Sequence, residues 1–344
     1  MIASMTKLLV TGGAGFIGSA FVRLALADPK CEVTNLDALT YAGNPDNLKG
    51  LDDARHHFVH GDICDPATVL DSLDDDTDAI INFAAESHVD RSIESAEVFL
   101  RTNVIGTQVL LDAAREKNIR RFVQVSTDEV MGSLPENEAT FFTEDSPFKP
   151  NSPYAASKAA AEHLVRAAHH TFGLDTVITR CGNNYGPRQF PEKFLPLMLA
   201  NAMDDQPIPI YGDGLNVRDW IYVDDHCRAI LLALERGRSG ATYNIGARNE
   251  RRNLDVARSV LDQLGKPHSL IKFVKDRPGH DRRYAIDPSL AETELGWRPH
   301  ETWQSGLRKT IEWYRDNGDW VARARSGAYR EFYARQYGSE VEAL

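Results

Sequence analysis

Residues 126–129 read Ser-Thr-Asp-Glu and directly follow an apolar-rich run ending at residue 125. A strand that stopped there would deliver a hydroxyl and two adjacent carboxyls, Thr127, Asp128 and Glu129, to one edge of a fold. Neighbouring carboxyls adopt different protonation states when mutual repulsion and unequal burial separate their pKa values. One can then give a proton while the other removes one, which is general acid–base catalysis. In a solvent-facing turn the same pair would do no chemistry, so the rest of the chain has to decide. Tyr154 and Lys158 form a second constellation. Ser152 is a helix cap and Pro153 suits the first helical position, so the two side chains, four apart, share one helical face. A free phenol, with a pKa of about 10, is a poor base at neutral pH, and a neighbouring ammonium favours the phenolate.

A third group of residues suits a dinucleotide. TGGAGFIG carries Gly12, Gly15 and Gly18, and also Gly13, Gly15 and Gly18 in GxGxxG spacing. Such glycines permit a tight turn and let backbone amides approach a pyrophosphate at a helix N-terminus. Asp37 follows Gly18 by 19 positions, the interval expected of a carboxylate that binds ribose hydroxyls. It would repel a 2′-phosphate, so NAD is expected over NADP. Asp62 is placed to meet the adenine edge, and Ala84 and Ala85 are small enough to leave room for the dinucleotide. Lys158 can also hold the nicotinamide ribose.

The elements that must position these groups are legible as strands at 7–11, 32–37, 56–62, 79–85, 122–126 and 176–180, with helical spacing at 16–27 and 98–118. Strands alternating with helices predict an α/β fold, a Rossmann-type doubly wound parallel sheet. Five prolines between 187 and 209 make long helices unexpected in 186–210. A helical run at 224–236 and a strand at 242–246 should return to the first domain. The expected division is 1–186, with 224–250 returning to it, and a smaller interleaved C-terminal substrate domain from 187–223 and 251–335.

Bulk composition sets outer limits. The chain has 344 residues, 42% hydrophobic and 26% charged, as an ordinary globular protein does. A formal net charge of −11 argues against a nucleic-acid partner, which would demand a basic stripe. No run is long and apolar enough to span a membrane, and the N-terminus has no signal-peptide pattern. Four cysteines without a CxxC pair suit a reducing, cytoplasmic setting. Nothing suggests a metal.

With these motifs in place the chain resembles the extended short-chain dehydrogenase/reductase family and, within it, the dTDP-glucose 4,6-dehydratases. The resemblance runs from TGGAGFIG to LGWRP at 295–299. It rests on DALTYAGN, NFAAESHVDRSI, STDE, YAASK, RCGNNYGPRQFPEKFLP, NVRDW and RPGHDRRYAID. It implies that Thr127, Tyr154 and Lys158 oxidise C4 of the hexose, that Glu129 removes the C5 proton, and that Asp128 protonates the departing C6 hydroxyl. Hydride then returns to C6, so NAD would stay bound through each turnover.

The resemblance further implies cofactor contacts from Phe16, Ile17, Leu39, Thr40, Ile63, Thr102, Ser126 and Asn184. For the sugar nucleotide it implies Ser87, His88, Asn183, Phe194, Leu195, Pro209, Tyr211, Asn253 and His280. Lys193, Arg218, Arg282 and Arg283 are the cations expected near the diphosphate, because guanidinium forks match phosphate oxygens. It also implies a homodimer through helices at 98–116 and 153–170. One position departs from the family pattern: Met131 stands where a tyrosine is usual. If residue 131 lies at the pocket edge, Met131→Tyr should be tolerated. A UDP-hexose 4-epimerase would share the glycines and the Tyr–Lys pair but have no use for Asp128 and Glu129. A GDP-mannose dehydratase would be expected to take NADP, against Asp37. A non-catalytic NAD-sensing protein would need neither Tyr154 and Lys158 nor the acidic pair.

Overall fold

The computed structural model describes residues 6–136 and 139–326; residues 327–335 of the expected second domain lie outside them. The chain begins β1 (Lys7–Thr11), α1 (Phe16–Ala25), β2 (Glu32–Asp37), β3 (His56–His60), α2 (Pro66–Asp71) and β4 (Ala79–Asn82). Two short helices, α3 (Val89–Glu94) and α4 (Glu97–Phe99), lead through a π-helical segment (Leu100–Gly106) to α5 (Thr107–Glu116). β5 (Arg121–Thr127) ends in a 3₁₀ turn (Asp128–Met131), followed by α6 (Pro153–Phe172), β6 (Thr176–Cys181) and β7 (Asn183–Tyr185). Next come α7 (Phe194–Met203), β8 (Ile208–Tyr211), β9 (Val217–Tyr222), α8 (Val223–Arg236) and β10 (Thr242–Ile245). The described chain closes with β11 (Glu250–Arg252), α9 (Asn253–Leu264), β12 (Ile271–Val274), α10 (Trp303–Asp316) and α11 (Gly318–Ala324).

The main sheet has the order β10-β6-β5-β4-β1-β2-β3 and is parallel throughout. Parallel strands need both faces covered. On one face α1 and α8 bury Phe21, Val22, Cys227 and Ile230; on the other α2, α5 and α6 bury Val69, Leu110, Leu111 and Val165. Strand order reverses beside β1, between β2 and β4. A crevice forms outside the strand ends at such a switch point, and the glycine turn, Asp37, Ala84 and Thr127 all lie at those ends. A further core joins α7, β8, β9, α9, α10 and α11 through Met198, Trp220, Val260 and Trp303. Ala291, Leu295 and Trp297 pack into the core under α1 and α8 instead.

Two local expectations need correction. A ten-residue helix, α7, forms inside the proline-rich 186–210 segment. Its proline, Pro196, sits in the first turn, where the missing N–H has no intrahelical partner to lose. The 98–118 stretch is not one regular helix, because the π-helical segment interrupts it. That segment contains Asn103, whose amide binds the backbone N–H and C=O of Glu86 at 2.9 and 3.0 Å and the Ser157 hydroxyl at 2.8 Å. It ties the loop after β4 to the helix that carries Tyr154 and Lys158.

Candidate active site

The glycine turn is built by close approach. Gly12 has φ +72°, and a Cβ there would meet the Ala84 nitrogen at 2.6 Å; a Cβ on Gly18 would meet the Gly12 carbonyl at 2.2 Å. No larger residue fits either place without moving backbone. Asp37 closes the turn: its carboxylate accepts from the amides of Ala14 and Leu39, both at 2.8 Å. Burial pushes its carboxyl above the usual range, and those two amides pull it back. Asp37 thus braces the turn as well as lining the cleft. We expect Asp37→Ala to weaken NAD binding and to narrow the preference over NADP, read by reconstituting stripped protein with each cofactor.

The cleft beyond the turn has a volume of about 570 Å³. Its wall includes all five acid–base candidates, Thr127, Asp128, Glu129, Tyr154 and Lys158. Of the expected cofactor residues, Gly12, Gly15, Phe16, Ile17, Gly18, Asp37, Thr40, Asp62, Ile63, Ala84, Ala85, Thr102, Ser126 and Asn184 line it. So do Ser87, His88, Asn183, Lys193, Phe194, Leu195, Pro209, Tyr211, Arg218, Asn253 and His280 from the substrate set. Three expected residues are not on this wall. Leu39 turns the chain with φ +49°. Arg282 forks onto Asp213 at 2.8 and 3.0 Å and reaches Glu136, and Arg283 forks onto Glu250 at 2.7 and 3.0 Å. Both arginines bind carboxylates of their own chain.

The acidic pair belongs to the same wall. Thr127 caps the 3₁₀ turn, its hydroxyl accepting from the Glu129 amide at 3.3 Å and lying 3.4 Å from Asp128 Oδ1. Asp128 is buried, and its Oδ2 has no hydrogen-bond partner. Burial holds the Asp128 carboxyl well above the ordinary range, and the charges of Glu129 and Asp219 push the same way. Burial also raises Glu129, but Arg277, Arg218 and Lys193 oppose that rise. The environment therefore separates the two carboxyls: Asp128 is pushed further towards the protonated form, and Glu129 is held nearer the ionised form. Pairs whose surroundings divide them in this way can serve as acid and base.

Lys158 is buried, donates to the Val125 carbonyl at 2.7 Å, and burial lowers its ammonium to about 8 despite the charge of Glu162. Burial raises the Tyr154 phenol far above the usual value, helped by the Glu129 charge and opposed by a hydrogen bond with Thr127. A positive charge brought into the cleft would shift that phenol back towards ionisation. Lys193 donates to the Ser87 carbonyl at 2.6 Å. Arg218 donates to the carbonyls of Val217 and Asp281 at 2.7 and 2.8 Å and lies 4.3 Å from the Tyr284 ring. His280 meets Asp276 at 2.6 Å, and burial lowers its imidazole to about 4, so the ring is neutral near pH 7.

Several cleft residues were not on the expected list. Arg277 opens the RPGHDRR run and donates to Asp90 Oδ1 at 2.9 Å, while Tyr211 holds Oδ2 at 3.2 Å; its Nε is buried without a partner. The sequence signal is the arginine before Pro-Gly that opens RPGHDRRYAID. Glu86 and Glu192 likewise stand in NFAAESHVDRSI and RCGNNYGPRQFPEKFLP, but nothing local marks either carboxylate as facing the cleft that both line.

Met131 is the clearest correction. It does not line the cleft but packs with Val130, Phe142, Ala159, Tyr284 and Ile286, at 2% exposure. Its sulfur lies 3.7 Å from Arg180 Nη1, beside the buried Arg180–Glu162 pair. A longer ring must displace those neighbours. We expect Met131→Tyr to destabilise by about 1–3 kcal/mol, read by urea unfolding, with kcat little changed.

A model of the GDP-mannose 4,6 dehydratase family matches residues 9–310. A dTDP-glucose 4,6-dehydratase of Salmonella typhimurium is 48% identical, over 96% of this chain and 99% of its own length. One from Xanthomonas campestris pv. campestris is 52% identical, over 95% and 98%. Among solved structures, DesIV, a dTDP-glucose 4,6-dehydratase from Streptomyces venezuelae with NAD bound, superposes with a TM-score of 0.90 at 52% identity, covering 93% of this chain and 100% of that one. UDP-glucose 4-epimerase from Thermus thermophilus, also with NAD, reaches 0.84 at 32%, covering 91% and 100%.

Proposed function

The chain belongs to the GDP-mannose 4,6 dehydratase family and, within it, to the dTDP-glucose 4,6-dehydratases, and from that premise we infer how its own residues divide the work. It is an NAD-dependent hydro-lyase that converts dTDP-glucose to dTDP-4-keto-6-deoxyglucose. The cleft fits NAD: the glycine turn leaves no space a Cβ could take without a clash at Gly12 or Gly18, and Asp37 lines the adjoining wall. Asp62, Ile63, Ala84 and Thr102 would hold the adenosine end, and Ser126, Lys158 and Asn184 the nicotinamide end. The chemistry supplied by NAD when bound is hydride acceptance at C4 of the sugar and hydride return at C6.

In this reading Tyr154 takes the proton of the C4 hydroxyl and Thr127 orients that hydroxyl. Lys158 keeps a positive charge beneath the phenol. The 4-ketone acidifies the C5 hydrogen, which Glu129 removes. Asp128, whose burial favours its protonated form, delivers its proton to the C6 hydroxyl as it leaves as water. Lys193, Arg218 and Arg277 are the cations that would meet the diphosphate, with Ser87, His88 and Asn183 about the hexose. Asn253, Tyr211 and His280 border the nucleoside side. The observation that carries the reading is the divided environment of Asp128 and Glu129. An epimerase, which the fold alone would equally suit, only oxidises and reduces C4 and needs no such division. Incubation with dTDP-glucose separates the two: a 4-keto-6-deoxy product supports dehydration, and a C4 epimer as sole product overturns it.

The assembly and placement of the chain are proposals of the same kind. Val98, Leu100 and Ile105 expose apolar side chains beside α5, which supports a homodimer formed through 98–116 and 153–170. The four cysteines are free, which suits the reducing cytoplasm; no helix among the described residues is long and apolar enough to cross a membrane. The proposed division into an NAD domain (1–186 with 224–250) and a sugar-nucleotide domain (187–223 with 251–335) is supported by the separate cores around the main sheet and around α7, α9 and α10, with Ala291, Leu295 and Trp297 packing across it into the first core.

A further inference from the structure

A second cavity, of about 530 Å³, lies between α1, the turn after β2, the loop after β7 and the α10–α11 corner. Four cations line it: Arg23, Lys49, Arg188 and Arg323. Two of them share one carboxylate, since Asp46 pairs with Lys49 at 2.7 Å and with Arg323 at 2.6 Å. The other two make no ion pair among the described residues. Arg23 spends Nη2 on the carbonyls of Asn47 and Lys49, at 2.6 and 2.7 Å, and its buried Nε has no hydrogen-bond partner. Arg188 makes no ion pair among the described residues and rests 5.4 Å from the ring of Trp313. It also adopts φ +67°, a left-handed conformation unfavourable for a side chain of its size.

The two guanidiniums feel each other. Burial lowers Arg188 to about 10, and the charge of Arg23 adds to that fall, with Asp224 and Tyr222 opposing it. The remaining carboxylates of the wall, Asp316 and Asp319, are exposed and pair with neither arginine among the described residues. Bringing two partly buried guanidiniums without ion pairs to one cavity is unfavourable unless an anion joins them. Guanidinium forks match the oxygens of a phosphoryl group, and a dianion would balance both charges.

We propose that this cavity binds a phosphoryl anion between Arg23 and Arg188, with Trp313 as its apolar flank. It is separate from the sugar-nucleotide cleft but touches its frame at two points. Gln189, next to Arg188, lines the cleft and donates to the Asn184 carbonyl at 3.0 Å. Asn47, held by Arg23, donates to the Ala14 carbonyl of the glycine turn at 2.9 Å. The ligand is free phosphate or the phosphate of a small ester; both present the same group to the arginines.

The test is calorimetric titration of the NAD-loaded protein with inorganic phosphate, at ionic strength held constant with chloride. One saturable site per chain is expected. Arg188→Gln should weaken it about tenfold or more, corresponding to loss of a charge-assisted contact, while Arg188→Lys retains part of the affinity. Asp46→Asn, which frees Lys49 and Arg323, should tighten binding, and it tests the site even if the Arg188 variants fold poorly. Glucose 6-phosphate in a second titration distinguishes the sources: competition identifies an ester site, and its absence a site for free phosphate. No saturable heat in the wild type, or unchanged affinity in both Arg188→Gln and Asp46→Asn, overturns the proposal.

Discussion

Glu129→Gln is expected to leave an enzyme that oxidises its sugar and then stalls. Glutamine keeps the shape of the side chain and removes the base. Tyr154, Lys158 and Thr127 are untouched, so dTDP-glucose should still reduce the bound cofactor, visible as the absorbance of the reduced nicotinamide. Loss of the C5 proton should slow by about 10²–10⁴-fold, seen as slow exchange of the C5 hydrogen with deuterated solvent and little 4-keto-6-deoxy product. Asp128→Asn should behave differently, because only the proton donor to C6 is lost: exchange at C5 persists while release of water slows. The pH profile of the wild type should show the same division. Glu129 must be ionised and burial raises its pKa, so the acid limb of kcat should lie above that of an ordinary glutamate. Near wild-type product formation by Glu129→Gln would remove its assignment as base. Failure of both variants to reduce the cofactor would make the pair a positioning device for the sugar.

Tyr154→Phe should act one step earlier. Without the phenol no group takes the C4 hydroxyl proton, so cofactor reduction itself should fall by about 10²–10⁴-fold, and the C5 exchange that depends on the ketone should fall with it. Lys158 supplies the pH signature of this step. Its ammonium is held at about 8, so the charge is present below that pH and lost above it, and the rate of cofactor reduction should decline on the alkaline side. Lys158→Arg, which keeps its charge to higher pH, should move that limb upward, at reduced rate because the guanidinium does not fit the contact with the Val125 carbonyl. A Tyr154→Phe protein that reduces its cofactor at the wild-type rate would place the base elsewhere.

Much of this arrangement is legible in the sequence. The glycine spacing, Asp37, the Ser152–Pro153 helix start and the Tyr154–Lys158 face are local patterns with local causes, and the parallel sheet follows from alternating strands and helices. Charge partners were the hard part. Arg282 and Arg283 looked like phosphate ligands because their chemistry suits that role, yet Asp213, Glu136 and Glu250, up to 146 residues away in sequence, take them. Arg277, in the same motif, lines the cleft because Asp90 and Tyr211 hold it there. The expectation of a pocket-edge residue at Met131 rests on the tyrosine usual at that position, two residues after Glu129. The 3₁₀ turn after β5 points it into a side core instead, a reversal over two residues that sequence distance does not reveal.

The central claim is that hydride leaves C4 and re-enters at C6 of the same sugar, with a proton exchanged at C5 between the two events. Conversion of dTDP-glucose deuterated at C4, followed by NMR of the product, tests it most directly. The account predicts a 4-keto sugar whose new C6 methyl carries the deuterium, and whose C5 hydrogen comes from solvent. Deuterium returned to C4 of an epimerised hexose, or lost to solvent with none at C6, would contradict it.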